Sequence, residues 1–179
     1  MKPVPTEARC GGRRIVFFET CYTLWPDRLL DDRGGVPATA VADLIGRYLA
    51  KPPVTGASLE DDWCSFRELR GAGPLAVNFA ANTHKTIAAT FASNLSALDR
   101  AAGRAAGVLQ SEPGFDRRYC FQALPEMPLV LNYNAADDLF PAQAHLLFRR
   151  CAQAGLDIRD HFMLGTYLTG RLVGAYRPQ

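Results

Sequence analysis

The sequence predicts a single α+β domain in which a mainly antiparallel sheet is covered by helices. The chain has 179 residues, which suits one domain of ordinary size with a sizeable core. Strand-like and helix-like segments come in mixed order without a regular βαβαβ alternation, and this order disfavours a doubly wound parallel sheet. We expect a flexible N-terminal arm at residues 1–11, where prolines and charges dominate, and the domain itself at residues 12–179.

The first strand signal runs from Arg13 to Trp25 and is rich in β-branched and aromatic residues. It predicts either one long strand or two strands joined at Glu19. A turn is expected at Asp31–Gly35, which contains two acidic residues and two glycines. After Pro37, apolar residues recur at helical spacing, and this helix must stop at Lys51 because two prolines follow.

The middle of the chain predicts a short strand and then the clearest helix of the sequence. Large residues alternate from Trp63 to Leu69, as in a strand. Further on, an apolar stripe with steps of three and four predicts a helix that has Asn82 or Thr83 as its N-cap and ends at Gly107. The stripe consists of Ile87, Phe91, Leu95, Leu98, Ala102 and Ala105.

The last third of the chain predicts two strands and two helices. The strands at Arg118–Leu124 and Pro128–Tyr133 are expected to form an antiparallel pair with an irregular link. A helix is expected from Pro141 to Ala154, since Ala144, Leu147, Phe148 and Cys151 have helical spacing. The final helix is expected to begin at Asp157 or Asp160 and to continue through Leu172.

Composition and charge narrow the functional classes. The net charge is only +2 and the arginines are scattered, so the sequence predicts no nucleic-acid binding. The longest apolar runs fall far short of the ~20 residues that cross a bilayer, and the N-terminus does not resemble a secretion signal. We therefore expect a cytoplasmic protein with no membrane partner. Its five cysteines are widely spaced and are expected to be reduced thiols.

No common catalytic or metal-binding motif occurs in the sequence, so its status as an enzyme stays uncertain. Phosphate loops, dinucleotide fingerprints, nucleophile elbows and close cysteine pairs are all missing. The three histidines, His84, His145 and His161, are too far apart to form a local metal site. We expect each of them to cap a helix, pack in the structure or face solvent, and we predict no metal ion.

Two segments place charged residues beside large aromatic ones and are the candidate ligand-binding residues. In the first, strand alternation would put Trp63 and Arg67 on one face, and Phe66 and Glu68 on the other. An arginine beside an aromatic face could hold an anionic or planar ligand. The alternative is that Arg67 and Glu68 form ion pairs with the scaffold.

The second segment contains Asp137, Asp138 and Phe140, directly after a predicted buried strand. Adjacent carboxylates could bind a cation, or they could cap the helix that is expected to follow. Because charges beside aromatics are usually paired or face a cleft, we expect Arg67 and the two aspartates to lie close together on the main pocket.

Four landmarks in order resemble domain-of-unknown-function family 3786, a bacterial and archaeal family. They are Phe18-Glu19-Thr20-Cys21-Tyr22, Trp63 to Leu69, Leu124 to Leu129, and Asp137 to Ala142 followed by Leu146-Leu147-Phe148. In this family, relatives from anaerobes often carry a four-cysteine iron–sulfur segment, which implies a link to redox or corrinoid-dependent one-carbon metabolism. The cysteines of this chain lack that clustered spacing, so no cluster is carried over. The chain also departs from the family pattern at Leu139 and at Arg149-Arg150, and both departures put a shared site in doubt.

Three roles remain open at the level of the sequence. The first is a binding or accessory module for a small molecule or a protein partner, with its cofactor unknown. The second is an enzyme whose acid–base groups, Arg67, Glu68, Asp137 and Asp138, are assembled by folding. The third is a structural subunit of a larger complex.

Overall fold

The computed structural model describes residues 12–51 and 63–176 and has an α+β fold with two antiparallel sheets. The predicted arm at residues 1–11 lies outside the described residues, as does Cys10. The first sheet has three strands in the order β1-β2-β3, and the second has five in the order β4-β8-β7-β6-β5. This confirms the predicted fold class. The strands are β1 Arg13–Phe17, β2 Thr20–Leu24, β3 Leu29–Asp31, β4 Trp63–Ser65, β5 Val108–Gln110, β6 Arg117–Leu124, β7 Met127–Asn134 and β8 Gln143–Arg149.

The small sheet starts with a tight hairpin, so the alternative of two strands joined at Glu19 is correct. Its turn requires a left-handed backbone at Phe18, where φ is 42°. The Phe18 N–H donates to the carbonyl of Ala123 at 2.7 Å. Ala123 lies where the pairing of β6 and β7 shifts register between Gln122 and Leu124, so the hairpin turn docks on an irregularity of the large sheet.

Buried side chains of the helices and of one face of the five-stranded sheet form one core. Cross-strand register puts Phe121, Leu129 and Phe148 on that face. The α-helices are α1 Thr39–Ala50, α2 Ala76–Ala80, α3 Thr86–Phe91, α4 Leu95–Arg104 and α5 Ile158–Ala175. Fully buried side chains of this core include Leu44, Ile45, Phe79, Ile87, Phe91, Leu98, Phe121, Leu131, Phe148 and Leu168.

The predicted central helix exists, but it is divided and begins earlier than expected. It starts at Ala76, so neither Asn82 nor Thr83 is its N-cap; a π-helical turn, Ala81–Lys85, joins α2 to α3. The chain then breaks at Ala92, which has φ 41° and ψ −108°, and Asn94 caps α4 by accepting from the Ala97 N–H. The predicted stripe is nevertheless largely in the core, since its members from Ile87 to Ala105 are buried except the half-buried Leu95.

The helix predicted at residues 141–154 is wrong. This segment forms strand β8, followed by a 3-10 helix at Arg150–Ala154. Ala144, Leu146 and Phe148 alternate with more exposed residues and face the helices, while β7 supplies a long partner strand. Short apolar runs fit both periodicities, and pairing with β7 decides the outcome.

The final helix, α5, agrees with its prediction. Asp157 is the N-cap and accepts from the N–H groups of Arg159 and Asp160. The buried carboxylate of Asp160 also forms an ion pair of 2.5 Å with Arg47 of α1. This pair ties α1 to the start of α5, next to the edge of the sheet that carries the candidate site.

Candidate functional site

The segment predicted as a strand from Trp63 to Leu69 changes direction after Ser65. Only β4, Trp63–Ser65, pairs with β8, and Phe66–Glu68 form a 3-10 turn. The Glu68 carboxylate accepts from the Ser65 N–H and hydroxyl, both at 2.7 Å. This reciprocal cap ends the strand, so the predicted alternation beyond Ser65 is wrong. As a result Phe66 is buried, whereas Arg67 and Glu68 are exposed.

Phe66 and Phe79 form an aromatic wall next to this turn. Their rings are stacked, with centroids 4.0 Å apart and an angle of 9° between the planes. Helix α5 approaches the wall closely at Gly165, where an added Cβ would lie 2.5 Å from the Phe79 ring. Glycine is required there because any side chain would push Phe79 out of the stack.

His84 occupies the edge of β8 that β4 leaves uncovered. Since β4 ends opposite Leu147, the N–H of Leu146 has no strand partner on that side. The Nε2 atom of His84 accepts this N–H at 3.1 Å. His84 lies in the π-helical turn, a type of irregularity that often occurs at functional sites.

Burial determines the protonation of the His84 ring, and the hydrogen bond from the Leu146 N–H determines its tautomer. Burial, with a smaller effect from the neighbouring His145, lowers the pKa of His84 to about 4. The ring is therefore neutral at pH 7, and because Nε2 accepts, the proton is on Nδ1. The Nδ1 atom has no hydrogen-bond partner among the described residues and is not sealed from solvent.

These elements border an open cavity of about 440 Å³, which we call the edge cavity. Its size falls within the range of small-molecule sites. Most of its surface is apolar, and its polar side chains are Ser65, Arg67 and His84. The remaining lining consists of Phe66, Gly73, Ala76, Val77, Phe79 and Ala80.

Arg67 and Glu68 are adjacent in the sequence but differ in their contacts with the rest of the protein. The hydrogen bond from the Ser65 hydroxyl lowers the pKa of Glu68, which is also 3.4 Å from Arg150. Arg67, by contrast, forms no hydrogen bond or ion pair with any residue in the described part of the chain. The scaffold interpretation therefore holds for Glu68, whereas Arg67 remains available at the cavity.

Trp63 and Glu68 do not line the edge cavity, whereas Phe66 and Arg67 do. The ring of Trp63 lies 5.4 Å from the guanidinium of Arg149, its cross-strand neighbour. That contact is on the sheet face opposite the helices, since Cys64 and Phe148 face the core.

The second predicted segment forms the exposed loop between β7 and β8. One carboxylate oxygen of Asp137 accepts from the N–H groups of Leu139 and Phe140 at 2.8 and 2.7 Å, and both bonds lower the pKa of Asp137. Asp137 thus closes a turn. The expectation that it caps a following helix is wrong, because strand β8 follows. Asp138, Leu139 and Phe140 are exposed.

Asp137 and Phe140 line a second cavity, of about 410 Å³, at the end of the sheet. Its surface is mainly polar, and Asp116 and Asn134 form part of it. No residue is common to this cavity and the edge cavity. The prediction that Arg67 and Asp137 border one shared pocket is therefore wrong for the cavities formed by the described residues.

The described residues offer no evident metal centre or membrane helix. In residues 12–51 and 63–176, no three His, Cys, Asp or Glu side chains form a group that could hold a metal ion. None of the helices in these ranges is long and apolar enough to cross a membrane. Cys21, Cys64, Cys120 and Cys151 are free thiols.

Sequence reasoning missed His84 and Phe79 as members of the candidate site. His84 is a lone histidine inside a helical pattern, and its partner Leu146 is 62 residues away. The small residues Gly73, Ala76 and Ala80, one helical turn apart, were a usable signal, because they leave space beside a helix.

The family comparison agrees with the landmarks in the sequence. A family model described as Domain of unknown function (DUF3786) matches residues 6–171. The chain belongs to this family. No curated protein and no solved structure matches the chain. The DUF3786 model covers both candidate segments and every residue that lines the edge cavity.

Proposed function

We propose that this DUF3786 domain is a binding module and that the edge cavity is its small-molecule site. One observation carries the proposal: an apolar cavity of ligand size is lined by an arginine and by an imidazole N–H that have no hydrogen-bond partner among the described residues. Elsewhere in the described structure most buried polar groups are satisfied. Polar groups left available at an apolar concavity are typical of ligand sites.

The enzyme alternative has less support from the geometry. Of its four proposed groups, Arg67 lines the edge cavity and Asp137 lines the second cavity, whereas Glu68 and Asp138 line neither. Glu68 and Asp137 also already accept hydrogen bonds from the scaffold. The structural-subunit alternative is supported by the exposed Leu139 and Phe140 at the loop tip. Single exposed apolar residues are common on soluble proteins, so that observation carries less weight than the cavity. The link to redox or corrinoid metabolism rests on the resemblance alone and stays a prediction.

Blocking the edge cavity tests the proposal. Ala76→Phe would fill it from α2, and Ala89→Phe adds the same side chain at an exposed position of α3 that does not line it. Probes of different charge, namely octanol, octanoate, indole and benzamidine, would be titrated while ¹H–¹⁵N spectra are recorded. We expect at least one probe to shift the signals of Phe79 and His84 in the wild type and in Ala89→Phe, but not in Ala76→Phe.

Two results would contradict the proposal. If no probe perturbs these signals in the wild type, or if Ala76→Phe binds as well as Ala89→Phe, the edge cavity is not a small-molecule site. Circular dichroism of both variants would show whether the added ring disturbs the fold.

A further inference from the structure

We propose that the edge cavity takes a small carboxylate with an apolar body, held by Arg67 and the Nδ1–H of His84. This inference rests on the proposed function and names the class of ligand. It follows from the hydrogen-bond donors at the cavity, from the apolar lining around them, and from the hydrogen bonds that hold Glu68 away from Arg67.

The two side chains at the edge cavity that lack a hydrogen-bond partner for their N–H groups among the described residues, Arg67 and His84, are donors. Arg67 carries a permanent positive charge and can only donate. His84 cannot accept from a ligand at Nε2, because that atom already accepts the Leu146 N–H. The Ser65 hydroxyl donates its hydrogen to Glu68, and its oxygen takes part in the capping box of the 3-10 turn. Acceptors on a ligand therefore match Arg67 and His84, and a negative charge matches Arg67 in particular.

Among the described residues, no carboxylate lines the edge cavity to repel an anion. Glu68 is next to Arg67 in the chain, but its carboxylate is held by Ser65 and lies near Arg150. The fold thus separates the two neighbours, with the acid paired to the scaffold and the arginine at the cavity. A cationic ligand would meet Arg67 without a compensating acid.

The rest of the lining requires an apolar body behind the acceptor. Phe66 and Phe79 present stacked aromatic surface, and Ala76, Val77 and Ala80 present methyl groups from α2. Burial of apolar ligand surface there is favourable by roughly 25 cal/mol per Å². A bare inorganic anion gains nothing from this wall, whereas a monocarboxylate with an alkyl or aryl group uses both parts of the cavity.

The test compares acids with their neutral amides. Octanoate and phenylacetate, octanamide and phenylacetamide, and inorganic phosphate would be titrated into the full chain by calorimetry. We expect the two acids to bind about tenfold more tightly than their amides, as a charge-assisted hydrogen bond implies, and more tightly than phosphate. Arg67→Ala should reduce acid affinity to the level of the amides. Arg70→Ala, an exposed arginine outside the lining, should leave affinity unchanged.

The His84 ring supplies a second readout that a general surface effect would not move. A carboxylate beside the ring favours its protonated form, so bound acid should raise the pKa of His84, whereas bound amide should not. Among the described residues, His145 of β8 packs against this ring and opposes its protonation, and Arg67 lines the same cavity. The ¹⁵N shifts of the imidazole against pH measure this change.

The other possible results contradict either the ligand class or the proposed binding function. If amides bind as tightly as acids and Arg67→Ala has no effect, the carboxylate inference fails while the proposed binding function stands. If phosphate binds as tightly as octanoate, the inference that the ligand has an apolar body is wrong. If neither the acids nor the amides perturb the cavity signals, while octanol or indole does, the ligand class is wrong and the site remains. If no probe binds, both proposals fail.

Discussion

Two segments combine charged and aromatic residues in the sequence: Trp63 to Leu69, and the loop from Asp137 to Phe140. They differ in the exposure of the aromatic side chain and in the hydrogen bonding of the charged one. In the first, Phe66 is 2% exposed and the arginine has no partner in the described structure. In the second, Phe140 is 61% exposed and the acid Asp137 is held by two backbone N–H groups. The first segment therefore leaves its arginine at the edge cavity, whereas the second uses its acid to close a turn.

The largest test of this comparison is truncation of the two phenylalanines. Phe66→Ala should lower the free energy of unfolding by ~3–5 kcal/mol, because the stack with Phe79 is lost and a cavity remains. Phe140→Ala should change it by no more than ~0.5 kcal/mol. Denaturant titration of the two variants measures the difference. Equal losses would mean that the loop is packed in solution and that the contrast between the segments is false.

Much of the fold was predictable because one periodicity fitted each element without competition. The strands at 117–124 and 127–134 and the cap of α5 at Asp157 belong to this group. Strand β8 was not predictable, since Ala144, Leu147 and Phe148 fit a helix and Ala144, Leu146 and Phe148 fit a strand. The short edge strands β3 and β5 have only three residues each and carry too little pattern.

The candidate site was only half predictable, for a related reason. Phe66 and Arg67 were identified because an aromatic and a charge are adjacent in the sequence. His84 was not, because its role depends on where β4 stops and on the Leu146 N–H that is then left uncovered. The capping of Ser65 by Glu68, which makes β4 stop, is a local signal; the consequence for β8 is a tertiary one.

The second test concerns the pH dependence that His84 gives to the first region. The unfolded chain binds a proton at this histidine below pH ~6.5, whereas the folded ring binds one only near a pKa of about 4. Stability from the neutral ring is therefore complete above the unfolded value and is lost as the pH falls through this window. The loss is about 3 kcal/mol, from the difference of the two pKa values.

His84→Gln isolates this contribution, because the amide oxygen can accept the Leu146 N–H without titrating. The variant should lose less stability than the wild type between pH ~6.5 and ~4. His161, also buried with a lowered pKa, titrates in both proteins and serves as a common background. Identical pH profiles of unfolding would mean that His84 is exposed and does not cover the edge of β8.

The smallest expected effect is on the denaturation midpoint, and it distinguishes a charged side chain that forms hydrogen bonds from one that forms none in the described structure. Asp137→Ala removes two hydrogen bonds to the Leu139 and Phe140 N–H groups and should lower the denaturation midpoint measurably at pH 7. Asp138→Ala and Arg67→Ala remove side chains for which the described structure shows no hydrogen bond, so their midpoints should stay at the wild-type value.

The pKa of Asp137 is lowered in the folded state, so its contribution is present above the unfolded pKa of ~3.9 and disappears as the pH falls through the folded value. Repeating the titrations at acid pH should therefore bring Asp137→Ala and the wild type together. If Arg67→Ala destabilised the protein as much as Asp137→Ala, Arg67 would be held by the scaffold after all, and its availability at the edge cavity, on which the ligand class depends, would be lost.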